Sequence, residues 1–228
     1  KFWYVFHYQF IYLYYYMNIA VIGSGGREHS ICFKLKQSKQ TNKIFCIPGN
    51  AGTSAIAENI NIDVLNFKSI SEFLKNNNIK IVFVGPEVPL VKGIKDYLEK
   101  KGFFVFGPSK AASRLEKSKS FTKQLCKKYK IPTAQYKSFS SMKGVKEYIK
   151  KMNTPIVIKA DGLASGKGVF ICNNKNEALQ KCKEINQGKF KSSKKFVIEE
   201  FLSGEEVSYF ILSDGKNYKF FGSAQDHK

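Results

Sequence analysis

The chain has 228 residues, 43% of them apolar, and a net charge of +20 carried almost wholly by lysine, since Arg27 and Arg114 are its only arginines. That length allows one large or two modest domains with a sizeable core. A reader of nucleic acid would cluster its charge and favour arginine, whereas these lysines are strewn among Asn, Ile, Tyr and Phe; they read as a solvated surface that attracts anionic substrates, with no nucleic-acid partner.

The first sixteen residues, KFWYVFHYQFIYLYYY, join the next apolar run to approach transmembrane length, ~20 residues. Tyrosine dominates them, no signal-peptide cleavage pattern follows, and they precede Met17, so residues 1–16 are expected to be a translated upstream extension; a membrane anchor is the alternative. From Asn18 the pattern is regular. NIAVI reads as a strand, Gly23 to Gly26 as a glycine turn, and Arg27 to Lys36 as a helix with apolar Ile31 and Leu35 on one face. This strand–turn–helix opens an α/β domain, and a helix start behind exposed backbone N–H groups suits a phosphate. A dinucleotide fingerprint would need glycine where Glu28 stands, and no acidic residue ends the next strand, KIFCI, so a sugar phosphate fits better than NAD.

Strands follow at 79–84 and 102–107, with helices over Phe67 to Lys75 and Val91 to Lys100. The turns GSGG, PGNAG and GPE then fall at the carboxyl ends of parallel strands, where open sheets bind ligands. A basic helix is expected over Ala111 to Lys130, a strand over Ala134 to Tyr136, and a helix over Ser141 to Lys151. The stretch PIVIKADGLASGKGVF (155–170) reads as a hairpin whose tip carries Lys159, Lys167 and several glycines, a grip for polyphosphate. It lacks the P-loop spacing: three residues separate Gly162 from Gly166, and Gly168 follows Lys167. A ligand-free surface hairpin is the bland alternative. A helix over Asn176 to Asn186 precedes the strand FVIEE, whose Glu199 and Glu200 could accept from ribose hydroxyls or pair with surface lysines. The five cysteines, Cys32, Cys46, Cys126, Cys172 and Cys182, lack metal spacing and fit reduced thiols in a cytoplasmic protein.

Nine segments, GSGGREH, PGNAGT, VGPEVPLVKGI, FGPS, LEKSKSFTK, IPTAQY, VIKADGLASGKGV, VIEEFLSGEEVS and SAQDHK, resemble in this order the phosphoribosylamine-glycine ligase family of ATP-grasp enzymes. The resemblance implies a Rossmann-like, pre-ATP-grasp parallel-sheet domain over 17–116, followed by an α+β ATP-grasp domain over 117–228 that is incomplete on its carboxyl side. It further implies ligation of glycine to 5-phosphoribosylamine through a glycyl phosphate, driven by ATP, in purine synthesis. Lys159 and Lys167 are then the catalytic lysines. Lys119, Lys159, Gly162, Gly166, Lys167, Gly168, Glu199, Glu200, Leu202 and Glu206 would bind ATP. Gly25, Gly26, Arg27, Glu28, His29, Asn50, Glu87, Asp226, His227 and Lys228 would serve the other substrates. Small molecules are the implied partners, with no membrane and a monomeric complete enzyme. Family members are nearly twice as long, so the Mg²⁺ ligands are expected beyond Lys228, no metal ligand is assigned here, and the 228 residues alone are expected not to complete the reaction. A non-catalytic nucleotide-binding protein, or another ATP-grasp ligase or carboxylase, is the alternative.

Overall fold

The computed structural model describes residues 16–164, 167–190 and 193–225. The expectations for residues 1–15, Gly166, Asp226, His227 and Lys228 lie outside the described residues. The chain forms two compact units that divide between Thr122 and Lys123.

The first unit is built on a parallel five-stranded sheet: β1 (Met17–Gly23), β2 (Thr41–Pro48), β3 (Glu58–Asn59), β4 (Ile79–Val84) and β5 (Phe104–Phe106), in the order β3-β2-β1-β4-β5. Both faces are covered, which is why β1 reads as a continuous apolar run rather than an alternating one. Ala20 and Ile22 pack with Phe45 and Ile47 against Ile70 and Leu74 of α2 (Phe67–Asn76). Val21 and Cys46 instead meet Cys32 of α1 (Gly26–Lys36) on the opposite face. The chain leaves β1 toward β2 and returns to β4 on β1's other side, so the topological switch lies between β1 and β4. Ligands of open α/β sheets bind there, beyond the strands' carboxyl ends.

Two expected helices are divided. The one expected over Val91 to Lys100 is α3 (Glu87–Lys92) and α4 (Ile94–Glu99), broken at Gly93, whose φ of +98° favours glycine. Helix therefore begins at Glu87, inside what reads as a turn in the sequence. The expected basic helix is α5 (Arg114–Lys117) and α6 (Lys119–Lys128), separated by Ser118 in an extended conformation.

In the second unit β6 (Tyr136–Phe139), β7 (Ile156–Ala160), β8 (Val169–Cys172) and β9 (Phe196–Glu200) form an antiparallel sheet ordered β6-β9-β7-β8. Period-two alternation sorts its faces. Ile156, Ile158, Phe196 and Ile198 are buried with Ile149 of α7 (Val145–Lys150) and Ile185 of α8 (Lys175–Asn186), leaving Val157, Lys159, Val197 and Glu199 on the other face. A separate antiparallel ribbon, β10 (Val207–Ser213) and β11 (Tyr218–Gln225), leaves Tyr209, Phe210, Phe220 and Phe221 largely exposed. Its turn is fixed by Asp214, whose carboxylate accepts from the backbone N–H groups of Asn217 and Lys216, holding its pKa down to about 2.

No helix among the described residues is long and apolar enough to cross a membrane. Burial pushes the thiol of Cys172 up to about 11 and that of Cys182 up to about 12, while Cys126 is partly exposed. The thiolate is the reactive species, so native protein at pH 8 is expected to lose Cys126 to iodoacetamide first, with Cys172 and Cys182 modified only on unfolding. Peptide mass spectrometry of a labelling time course checks this.

Candidate active site

In the first unit the turn after β1 is shaped by a buried acid. Glu28 sits at the third position of α1, and its carboxylate accepts from the Gly25 backbone N–H at 2.5 Å. The side chain is 5% exposed and fills the space beside Gly23 and Gly85, where a Cβ on either glycine would collide with it. The glycine that a dinucleotide fold would place here is thus replaced by a cap that ties two loops together. Gly26 has open space around it, and the first-turn N–H groups behind it form the positive end of the helix.

Arg27 reaches across the switch point. It donates to the Gly85 carbonyl at 2.6 Å and to Glu87 Oε1 at 3.2 Å, and both charged side chains remain about half exposed. These residues border a cleft of about 300 Å³ that also touches Ile31, Leu90, Pro108 and Ser113. His29 is half-buried against Gly52. Asn50 is bound at both ends: its Nδ2 donates to the Ser24 carbonyl at 2.9 Å, and its Oδ1 accepts from Thr53 N–H at 2.9 Å. Thr53, fully buried, accepts from Asn50 N–H at 2.7 Å and donates to Asn59 Oδ1 at 2.7 Å. Thr53 and Asn59 thereby hold the PGNAG turn, a role the sequence reading missed. The TSA turn after Gly52 was its only signal. The expected substrate residues from Gly25 to His29, with Asn50 and Glu87, gather at one sheet edge. Glu28 and Asn50 spend their polar atoms on the loops themselves.

In the second unit, pairing places Glu199 opposite Val157, so Lys159, two residues along β7, lies diagonally across from it on the same face. Lys159 Nζ is 2.9 Å from Glu199 Oε2. The same oxygen lies 3.2 Å from Lys123 Nζ, which also donates to Thr133 Oγ1 at 2.7 Å and to the Ala134 carbonyl at 3.3 Å. The sequence reading did not single out Lys123. Its signal is position, one helical turn after Lys119 on α6.

Alternation sends the neighbouring acid elsewhere. Glu200 accepts from Gln135 N–H at 2.7 Å and borders a pocket of about 430 Å³ with Tyr148 and Pro155. Burial, and then the Glu200 charge, raise the Tyr148 hydroxyl above its ordinary range. Glu199 and Glu200 therefore share a strand but not a face. Leu202 and Glu206 are exposed beyond β9, before the β10–β11 ribbon. At the hairpin tip Gly162 has φ +113°, Lys167 is exposed, and Gly168 packs against Ala164 and Ala160 so closely that a Cβ would clash. The loop base is tied by Asp161 N–H to the Lys195 carbonyl at 2.9 Å and by Ala160 N–H to the Gly168 carbonyl at 2.7 Å.

Among the described residues no three His, Cys, Asp or Glu side chains are grouped to hold a metal ion.

The family model for the phosphoribosylglycinamide synthetase N domain matches residues 17–116, and that for the ATP-grasp (A) domain of the same enzyme matches 117–228. A phosphoribosylamine–glycine ligase of Mesorhizobium japonicum is 46% identical over 213 residues, 93% of this chain and 50% of the relative. One from Haemophilus influenzae is 44% identical over 216 residues, with the same 93% and 50% coverage. The chain spans about half the length of the curated relatives it matches. Among solved structures, the phosphoribosylamine–glycine ligase of Thermotoga maritima superposes with a TM-score of 0.72 at 32% identity, covering 90% of this chain and 49% of that one. The N5-carboxyaminoimidazole synthetase of Staphylococcus aureus complexed with ADP gives 0.69 at 19% identity over 93% of this chain and 55% of that one, a likeness of fold. With an N domain and an ATP-grasp domain matched end to end from residue 17 to 228, the chain belongs to the phosphoribosylglycinamide synthetase family.

Proposed function

We propose that this chain serves an ATP-dependent carbon–nitrogen ligase that joins glycine to 5-phosphoribosylamine in the cytoplasm, yielding glycinamide ribonucleotide, ADP and phosphate. A glycine carboxylate oxygen attacks the γ-phosphorus of ATP and ADP departs. The amine nitrogen of 5-phosphoribosylamine then attacks the acyl carbon of glycyl phosphate, inorganic phosphate leaves, and the nitrogen loses a proton. Phosphoryl transfer needs positioning and charge neutralisation more than covalent help from the protein. Lys159 supplies a mobile cation for the polyphosphate, with Lys119 and Lys167 as further phosphate contacts. The loop through Gly162, Gly166 and Gly168 covers the acyl phosphate against water. Glu199, Glu200 and Leu202 form the strand end that borders the adenine, and Glu206 meets the ribose. Gly25, Gly26, Arg27 and His29, at the start of α1, receive the sugar phosphate, with Glu28, Asn50 and Glu87 shaping that loop cluster. Asp226, His227 and Lys228 are assigned to the acceptor side.

Mg²⁺ arrives with ATP and offsets phosphate charge. The described residues offer no ligand cluster for it, so none is assigned and no step is routed through the metal. The observation that carries the reading is Lys159, partly exposed and held on a buried carboxylate of an ATP-grasp sheet, in a chain whose two family domains follow in order. The test is substrate dependence in a hybrid that joins this chain to the carboxyl half of the Thermotoga maritima relative. ADP release is expected to require both glycine and 5-phosphoribosylamine. Release supported by bicarbonate in place of glycine would select a carboxylase instead.

A further inference from the structure

Glu199 is 3% exposed, and one of its oxygens serves two lysines. The lysines differ in how they are held. All three protons of the Lys123 ammonium have acceptors, namely Glu199 Oε2, Thr133 Oγ1 and the Ala134 carbonyl, and its side chain is 10% exposed. The Tyr136 ring lies 5.4 Å from the same nitrogen. Lys159 is 30% exposed, three times as much as Lys123, and its contact with the carboxylate is to Oε2 at 2.9 Å. The other oxygen, Oε1, is buried with no hydrogen-bond partner among the described residues.

We infer that Lys123 is a positioning residue: it is the fixed counter-ion of Glu199, and its presence is what allows Lys159 to leave the carboxylate for an anionic ligand. A buried carboxylate that lost its sole cation would be left uncompensated away from water, so Glu199 with one lysine would hold that lysine far more tightly. With Lys123 anchored beside it, the carboxylate stays neutralised when Lys159 swings away. The two ammonium groups, bound to one oxygen, also repel each other, which weakens the hold on the more exposed one. Lys159 is thus a cation on loan, and Lys123 is the residue that makes the exchange reversible. The inference rests on the ligase reading only for what Lys159 is released to, the polyphosphate of a nucleotide.

The experiment reads Lys159 directly and requires no nucleotide. The 228-residue chain is labelled competitively with acetic anhydride at fixed pH, and acetylation of the peptide carrying Lys159 is quantified by mass spectrometry against an added reporter amine. K123M is expected to slow Lys159 acetylation several-fold, because the ammonium becomes the only partner of Glu199. K123R is expected to label at the wild-type rate and E199Q faster. Circular dichroism confirms that each variant is folded, and K123R with E199Q keeps the test decisive should K123M unfold. Lys159 acetylation unchanged in folded K123M, or unchanged in E199Q, overturns the inference. A second arm titrates ADP and adenosine: K123M is expected to weaken ADP several-fold and leave adenosine unchanged. Equal loss for both ligands means that Lys123 only supports the fold, and overturns the inference. Acetylation shifts as expected in a chain without affinity for either ligand uphold the Lys123–Lys159 relation and remove the nucleotide reading.

Discussion

Replacing Lys159 by methionine is expected to weaken ATP binding by roughly 10- to 100-fold, the equivalent of one charge-assisted contact of about 1.5–3 kcal/mol. The side chain is placed for that role by strand alternation: β7 turns it to the face that carries Glu199, while Ile156 and Ile158 face the helices. Methionine keeps the aliphatic stem and removes the charge, so the loss reports the ammonium rather than packing. Its release also strips Glu199 of one of two partners, but Lys123 remains at 3.2 Å, and the fold is expected to hold. Isothermal titration with ATP, beside a thermal melt, separates the two effects. Unchanged affinity in a folded variant would remove Lys159 from the phosphate site.

The second large effect lies in the other unit. Gly85→Ala is expected to destabilise it by about 2–3 kcal/mol, the upper part of the usual range for overpacking. A Cβ there would overlap the Glu28 carboxylate, which is buried, capped onto Gly25 N–H and flanked by Gly23. Either Glu28 abandons the cap, freeing the helix start, or β4 shifts. Urea unfolding measures the loss. Since the collision is with one side chain, the double change Glu28→Ala with Gly85→Ala should cost less than the sum of the single ones. Strict additivity would show that the glycine is needed for some other reason.

These two sites differ in how far the sequence displayed them. The parallel sheet was legible because β1 carries the apolar run IAVI and four of its five strands, β3 excepted, end in or run into glycine or proline, and the β7–β8 hairpin because two apolar runs bracket Lys159 and Lys167. The break at Gly93 was hidden, since apolar spacing runs through it and only the positive φ ends the helix. The two-residue strand β3 is too short for any period to show. Glu28 reads as a substrate-side residue of a helix start, and only its contact with Gly85, 57 positions away, reveals it as a wedge. Lys123 is one of many lysines in a basic helix, and its burial follows from a long-range partner that no local pattern displays. Glu199 and Glu200 read alike until pairing assigns them to opposite faces.

The ligase chemistry itself is tested most directly by following oxygen. Glycine labelled with ¹⁸O in its carboxylate is incubated with ATP, 5-phosphoribosylamine and the hybrid enzyme that carries this chain, and the released phosphate is analysed by mass spectrometry. An acyl phosphate route transfers one ¹⁸O from each glycine consumed to inorganic phosphate, and that is the expected result. Phosphate free of ¹⁸O, alongside normal formation of glycinamide ribonucleotide, would contradict activation of glycine by the ATP-grasp domain.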